Sequence, residues 1–436
     1  MTGLRRELGL FSAALLVVGG IIGSGIFFTP AETARALPSA GWVLAVWTVG
    51  GVVALAGALT YAELGAMMPE AGGGYVYVRE AFGRLPAFLL GWMTLLMIAS
   101  GAIAAVAMGF AGYLERFVPI GAVGGRLGVA AMTIITLTVT NYLGVKPGTV
   151  TANIFTLAKI AALGALIAIG LIVHPAGAPL AQAAPVPPPL ANGVAAAFVA
   201  VLFTIGGWQQ TNMVAGEIRD PGRTLPKALA VGIGIVIVVY LGANVVYLGT
   251  LGRDGLALST AVAADTANRL IGPAGATAIT VAAMLSIFGF VNVALLTNAR
   301  VLFALGQDGA FLPGAGKVHP RFGSPHVALV MLGGWSLVLL FATQGTIGTL
   351  LSGVVFADWV FFGLGAASVF VLRRTRPGMH RPYRVPGYPW LPAFFVLSAA
   401  VGIVSAYVSA LRMSLVGTGM LGVGMLVYWR TVDARR

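Results

Sequence analysis

The sequence predicts an all-α integral membrane protein with twelve transmembrane helices, and its composition gives the first reason. Of its 436 residues, 58% are hydrophobic and 9% are charged, whereas a soluble domain carries about 25% charged residues. Stretches of about 20 apolar residues recur along the whole length, and each is long enough to cross a hydrocarbon core of roughly 30 Å. These stretches lack the alternating pattern of a membrane β-barrel, which indicates that they cross the lipid bilayer as helices.

Twelve apolar segments meet this length criterion. They cover residues 8–37, 41–67, 85–113, 127–144, 149–173, 192–216, 226–250, 274–305, 325–343, 347–372, 391–410 and 413–430. With the N-terminus inside the cell, most of the 26 lysines and arginines fall in the inside connections, as the positive-inside rule requires. The pattern predicts that both termini are cytoplasmic. It also explains the net charge of +13 by topology, without a nucleic-acid partner.

The connection at residues 174–191 divides the first ten segments into two sets of five. It contains Pro187-Pro188-Pro189 and carries no charged residue, as an external linker can. We predict a first five-helix unit at 1–173, this linker, and a second unit at 192–372. A cytoplasmic loop and the last two helices follow at 373–436. Because each unit has an odd number of spans, the two units lie in opposite orientations.

Glycine interrupts the first segment of each unit near its centre. Residues 19–28 read Gly-Gly-Ile-Ile-Gly-Ser-Gly-Ile-Phe-Phe, and residues 203–208 read Phe-Thr-Ile-Gly-Gly-Trp. Paired interruptions in two halves are typical of a transporter's binding site. A broken helix offers free N–H groups to a carboxylate and free carbonyls to an ammonium group, which matches an α-amino acid. Close helix packing explains either cluster alone equally well.

Charged residues deep inside the predicted segments are the next candidates. Lys159 lies near the middle of its segment, where a charge is costly and indicates function by default. A lysine that extends to the membrane surface is the alternative. Asp358 is the deepest acid, and it makes a structural hydrogen bond, contacts a substrate amine or carries a proton. Glu63 and Glu217 lie nearer the segment ends and are interpreted as gate or loop anchors.

Several motifs in combination resemble the amino acid–polyamine–organocation superfamily. The run at 19–27 resembles the first-helix motif of that superfamily. Residues 203–208, followed by Glu-Ile-Arg-Asp-Pro-Gly-Arg-Thr-Leu-Pro at 217–226, are similar to its L-type amino acid transporter branch. Residues 298–309 and 381–383 are similar to further stretches. The resemblance covers nearly the whole chain. It implies the LeuT-type fold, with five-plus-five inverted repeats and two extra helices, and amino acid transport by alternating access.

The resemblance also assigns substrate contacts to residues of this sequence. It places the substrate carboxylate at the N–H groups around Ser24, Gly25 and Ile26. It places the ammonium group at the carbonyls of Ile21, Phe203, Thr204 and Gly206. The ring of Phe203 would close over the substrate as a gate. Tyr240 lines the site or packs as an ordinary tyrosine, and Gln209 stands where the branch often has asparagine.

The same resemblance gives Lys159 a role. In sodium-coupled members of this fold a cation lies between the first and eighth helices. Similarity to sodium-independent members implies that the Lys159 ammonium group takes that place. Its partners would be the carbonyls of Gly19 and Ile22 and the hydroxyl of Ser286.

These features predict a sodium-independent transporter, most simply an exchanger, of neutral L-amino acids in the plasma (inner) membrane. Proton-coupled symport is the alternative mechanism, and a channel or a transporter-like sensor is the alternative class. The sequence contains no cysteine, so we expect no disulfide-linked accessory subunit. No motif in the sequence indicates a cofactor, a metal site or enzymatic catalysis.

Overall fold

The structure is a computed structural model that describes residues 6–173, 186–345 and 347–432. The side chains of residues 145–149, 151, 313 and 347–353 are outside the description. Most of the predicted linker at 174–191 also lies outside the described residues.

The described residues form helices α1 (Leu10–Ile21), α2 (Gly25–Ala36), α3 (Ala40–Met67), α4 (Gly74–Phe82), α5 (Arg84–Met93), α6 (Ala99–Leu114), α7 (Gly125–Tyr142), α8 (Val145–Ile172), α9 (Leu190–Thr204), α10 (Gln210–Met213), α11 (Pro221–Leu258), α12 (Val262–Gln307), α13 (His326–Ala342), α14 (Ile347–Thr375), α15 (Trp390–Ser409) and α16 (Leu411–Thr431). Each of the twelve predicted segments coincides with one helix or with a pair of helices. The first segment is split into α1 and α2, and the sixth into α9 and α10. In the third segment, one turn of π-helix at Thr94–Ile98 joins α5 to α6.

The helix lengths fit a multi-pass membrane protein. Within the described ranges, nine helical stretches are long and apolar enough to cross a membrane, judged by length and composition, when α1 with α2 and α5 with α6 are each counted as one stretch. Two shorter apolar helices, Leu190–Thr204 and His326–Ala342, fall below that length. The number of twelve crossings therefore stays a prediction.

The two broken helices lie side by side and run in opposite directions. At one end Leu8, just before α1, pairs with Ile218, which follows α10. At the other end, a Cβ atom placed on Gly193 near the start of α9 would lie 2.2 Å from the carbonyl oxygen of Ala36 at the end of α2. Only glycine permits so close an approach, so Gly193 helps to fix the antiparallel arrangement.

Ion pairs close one face of the bundle, which we call the N-terminal face because α1 begins there. The Glu63 carboxylate of α3 is buried and accepts hydrogen bonds from Arg373 of α14 (2.6 Å) and from the Val385 N–H in the following loop (2.7 Å). Arg79 of α4 lies 2.7 Å from the carboxylate of Asp308, just after α12. Glu63 thus ties a helix to a loop, as its interpretation as an anchor requires.

Arg300 and Glu217 form a buried ion pair near the same face. The two residues are 1% and 0% exposed, and the Arg300 Nε atom lies 2.8 Å from the Glu217 carboxylate. The Glu217 backbone carbonyl also accepts hydrogen bonds from the N–H groups of Glu7 and Leu8, each at 2.9 Å. The pair therefore joins α12 to the end of the second broken helix and to the segment before α1.

We expect Glu217→Gln to lower the thermal unfolding temperature in detergent. Removing one partner of a buried ion pair leaves an uncompensated charge, which costs about 3–5 kcal/mol. The control is Glu115→Gln, which breaks the exposed pair of Glu115 with Arg126 and should cost about 0–1 kcal/mol. Equal unfolding temperatures for the two variants would contradict a core role for the Glu217–Arg300 pair.

Candidate functional site

The first break separates α1 from α2. Ile22 leaves helical geometry with a ψ of 87°, and α2 begins at Gly25. The first hydrogen bond after the break runs from the Phe27 N–H to the Ser24 carbonyl at 3.1 Å. The N–H groups of Gly25 and Ile26 precede it, at a helix start that leaves its first donors without an intrahelical acceptor. These donors carry the partial positive charge of the helix end.

The second break separates α9 from α10. Gly207 at its centre has a φ of 104°, a conformation that residues with side chains rarely adopt. The Gln209 side chain stabilises the break, because its Oε1 atom accepts the Gly207 N–H at 2.9 Å. The adjacent Trp208 is buried, and its ring lies 5.0 Å from the ring of Tyr61, which anchors the break against α3.

The two breaks pack against each other through backbone. A Cβ atom on Gly207 would lie 2.1 Å from the Gly20 carbonyl oxygen, and one on Gly25 would lie 2.5 Å from Thr204 Cγ2. The Thr204 hydroxyl also lies 2.5 Å from the hydroxyl of Thr29, one turn beyond Gly25. The start of α2 and the end of α9 are therefore neighbours, and they bring a positive and a negative helix end side by side.

Tyr240 of α11 lies between the breaks. Its hydroxyl donates to the Ile21 carbonyl (3.0 Å) and to the Thr204 carbonyl (3.3 Å), at the ends of α1 and α9. The residue is 1% exposed, and the described wall of the central cavity does not include it. The Tyr240 hydroxyl therefore links the two helix ends, and a contact between Tyr240 and a substrate stays a prediction.

Lys159 of α8 contacts the first break. The residue is 1% exposed, and its Nζ atom donates to the Gly19 carbonyl at 3.0 Å and to the Ile22 carbonyl. Ser286 of α12 donates to the same Ile22 carbonyl at 3.2 Å. A Cβ atom on Gly19 would lie 2.6 Å from Thr156 Oγ1, so this glycine allows α8 to approach. The structure thus brings together all four residues of the predicted lysine cluster.

A central cavity of about 60 Å³ lies against the two breaks. Six of the predicted substrate-binding residues line it, namely Ile21, Ser24, Gly25, Phe203, Thr204 and Gly206. Ile26 is buried behind this wall. On the α6 side the wall consists of small apolar residues, including Ala99 and Ala102. The two breaks therefore form one side of the cavity, and small apolar residues of α6 form another.

Two further spaces adjoin the central cavity. Toward the face opposite the N-terminal face lies a vestibule of about 550 Å³, which shares Ser24, Gly25 and Phe203 with the cavity wall. Toward the N-terminal face lies an inner cavity of about 30 Å³, which shares Asn298 and Asp358 with that wall. Phe203 therefore stands at the vestibule end of the central cavity, and Asp358 stands at the end nearer the N-terminal face.

Asn298 of α12 is a cavity residue that the sequence reasoning missed. It is buried, and its Nδ2 atom donates to the Ala294 carbonyl at 2.9 Å. From the sequence, Asn298 was identified only as the first residue of the stretch 298–309 that is similar to the superfamily. An amide inside an apolar segment was the signal that could have identified it, since polar residues within a membrane are rare and often functional.

The described residues contain no group of three histidine, aspartate or glutamate side chains that could hold a metal ion. The site instead consists of opposed helix ends around a small cavity, with a vestibule on one side and a face closed by ion pairs on the other. Discontinuous helices that meet at such a cavity define the class of membrane transporters with a small-molecule site.

Comparison with known proteins gives the family. The family profile described as "Amino acid permease" matches residues 8–429. The chain is 31% identical to the mouse b(0,+)-type amino acid transporter 1 over 94% of this chain and 84% of the relative. It is 33% identical to the human large neutral amino acids transporter small subunit 2, over 98% and 80%. It is 32% identical to the human cystine/glutamate transporter, over 90% and 78%.

The chain therefore belongs to the amino acid permease family of the amino acid–polyamine–organocation superfamily. It is a multi-pass membrane protein of amino acid transport, and it is not an enzyme.

Proposed function

We propose that the protein is a sodium-independent exchanger of neutral L-amino acids that works by alternating access. The observation that carries this proposal is the adjacency of the two helix breaks at one cavity. The substrate carboxylate binds the N–H groups of Ser24, Gly25 and Ile26. The ammonium group binds the carbonyls of Ile21, Phe203, Thr204 and Gly206. Two of these carbonyls already accept the Tyr240 hydroxyl, but each carbonyl oxygen has a second lone pair.

Lys159 supports the sodium independence. Its ammonium group lies between the first broken helix and α8, and it shares the Ile22 carbonyl with Ser286 of α12. A sodium ion at that place would need the carbonyl oxygens that the lysine already occupies. In this proposal Lys159 is a positioning residue that takes the place of a coupling cation and holds the first break open.

The architecture in this proposal is the LeuT-type fold with twelve membrane crossings. The first inverted repeat covers 1–173 and the second 192–372, and the antiparallel broken helices support that division. Both termini and the N-terminal face lie in the cytoplasm, and the protein lies in the plasma (inner) membrane. The vestibule then opens outward while the ion pairs of Glu63 and Arg79 close the cytoplasmic side. Phe203 is the outer gate.

The relative whose name includes "small subunit" is, by that name, part of a larger assembly. A disulfide between subunits needs a cysteine, and this sequence has none. We therefore include in the proposal that no accessory subunit is disulfide-linked to this chain.

Uptake of labelled amino acids into proteoliposomes tests the proposal. We expect uptake of a neutral amino acid when the vesicles contain unlabelled amino acid, at the same rate with sodium or with choline outside. Empty vesicles and protein-free vesicles are the controls. Uptake that requires sodium would contradict the role of Lys159. Uptake into empty vesicles driven by a proton gradient alone would replace exchange with proton symport.

A further inference from the structure

We propose that Trp335 of α13 and Ser100 of α6 are positioning residues for the central cavity. They hold the π-helical turn at Thr94–Ile98 between α5 and α6, and this turn decides which residues of α6 face a substrate. Neither Trp335 nor Ser100 belongs to the described wall of the cavity, so both act through the backbone of the turn. The inference rests on the proposed function, because it takes the central cavity as the substrate site.

The π-helical turn contains one residue more than a turn of α-helix. The Ala99 N–H donates to the Thr94 carbonyl, five residues earlier, whereas an α-helix joins residues four apart. Two residues that are five apart point about 140° away from each other in an α-helix. The π-helical turn instead brings Thr94 and Ala99 onto the same face.

This shared face forms part of the walls of the inner and central cavities. Its wall residues are Leu90, Thr94, Ile98, Ala99, Ala102 and Val106. The spacing from Leu90 to Thr94, and from Ala99 to Ala102 and Val106, is that of one face of a helix. The turn joins these two faces into one. An uninterrupted α-helix that kept Thr94 in place would rotate Ala102 and Val106 away from the central cavity by about 100°.

Two side chains stabilise the turn by donating to its carbonyls. In an α-helix the Leu95 carbonyl would accept the Ala99 N–H, and here it accepts the buried Ser100 hydroxyl at 2.6 Å. From the neighbouring helix, the Trp335 Nε1 atom donates to the Leu96 carbonyl at 3.2 Å. An unsatisfied carbonyl away from water is costly. Without these donors the α-helical pattern satisfies the backbone better, so the two side chains favour the π-helical turn and the cavity wall that depends on it.

Transport kinetics of Trp335→Phe and Ser100→Ala test the inference. Each variant removes one donor and leaves the residues of the cavity wall unchanged. The probe is labelled L-alanine, L-serine or L-leucine, whichever wild-type protein in reconstituted vesicles takes up fastest. We expect each variant to raise the apparent KM by about threefold to tenfold, as the loss of one hydrogen bond to the turn implies. The maximal rate per folded protein should stay within about threefold of wild type.

Thiol labelling measures the orientation of α6 without a transport assay. The sequence contains no cysteine, so a cysteine introduced at Ala102 or at Ala104 is the only thiol of the protein. Ala102 lines the central cavity, whereas Ala104 is buried outside its wall. We expect methanethiosulfonate ethylammonium to label Ala102→Cys faster than Ala104→Cys. Adding Trp335→Phe should lower the ratio of the two rates by about threefold or more.

Trp429→Phe is the matched control, because Trp429 is an exposed tryptophan of α16. It should leave the apparent KM and the maximal rate unchanged. A loss of stability alone would lower the unfolding temperature and the amount of active protein without changing the apparent KM. An unchanged apparent KM in every Trp335 or Ser100 variant that folds, or an unchanged labelling ratio, would overturn the inference. Absence of uptake of all three amino acids by wild-type protein would instead overturn the proposed function.

Discussion

Replacing Lys159 with methionine is expected to reduce amino acid exchange by at least about tenfold. Methionine keeps an unbranched side chain of similar length but cannot donate to the Gly19 and Ile22 carbonyls. Hydrogen bonds from a charged donor contribute about 1.5–3 kcal/mol, and about 1.4 kcal/mol corresponds to a factor of ten. Without the ammonium group, the first break loses these two hydrogen bonds to α8. The neighbouring Ile21 carbonyl, which we assign to the substrate ammonium group, is then held less firmly.

The matched control is Lys227→Met, which changes an exposed lysine of α11. It should retain exchange and thermal stability close to wild type. Exchange is measured as the initial rate of labelled amino acid uptake, and folding as the unfolding temperature. A Lys159→Met protein that is folded and exchanges at the wild-type rate would reduce Lys159 to a packing residue.

Replacing Gly207 with alanine is expected to have a comparable or larger effect. The new Cβ atom would lie 2.1 Å from the Gly20 carbonyl oxygen, and the residue would have to keep a φ of 104°. A strained backbone conformation alone costs about 1–3 kcal/mol, and the clash adds to it. Relief requires the two breaks to separate, which displaces the carbonyls that we assign to the substrate ammonium group. We expect uptake to fall by about 100-fold or more.

Gly234→Ala is the control for this change. Gly234 lies inside α11, and an added Cβ atom would meet nothing within 4 Å. Alanine in a helix interior is favoured over glycine by roughly 1 kcal/mol, so this variant should transport normally and unfold at the same or a higher temperature. If Gly207→Ala also transported normally, the two breaks could not be packed backbone to backbone as the structure has them.

The positions of the helices were largely predictable, and the reason is the strong apolar pattern of membrane segments. Each predicted segment coincides with one helix or with a broken pair, and glycine marked both breaks. The split within α12 at Gly272, where φ is 78°, lies just before the predicted segment 274–305. A single glycine followed by proline does not by itself predict whether a helix kinks or ends.

The contacts of the site were less predictable than its position. The partners of Lys159 followed from the family resemblance, and the structure brings those residues together. The orientation of Tyr240 did not follow from the sequence, because a hydroxyl on a buried helix can turn toward a cavity or toward carbonyls of neighbouring helices. The partner of Glu63, Arg373, is far along the chain. Nothing local to either residue identifies the other.

The most direct measurement is a structure of the protein in lipid nanodiscs with an amino acid that it transports. We predict the amino acid in the central cavity, with its carboxylate about 2.7–3.1 Å from the backbone nitrogens of Gly25 or Ile26. Its ammonium group should face the carbonyls at the end of α9. An amino acid bound outside the central cavity, or with its ammonium group at the start of α2, would contradict the assignment of the two breaks as the binding site.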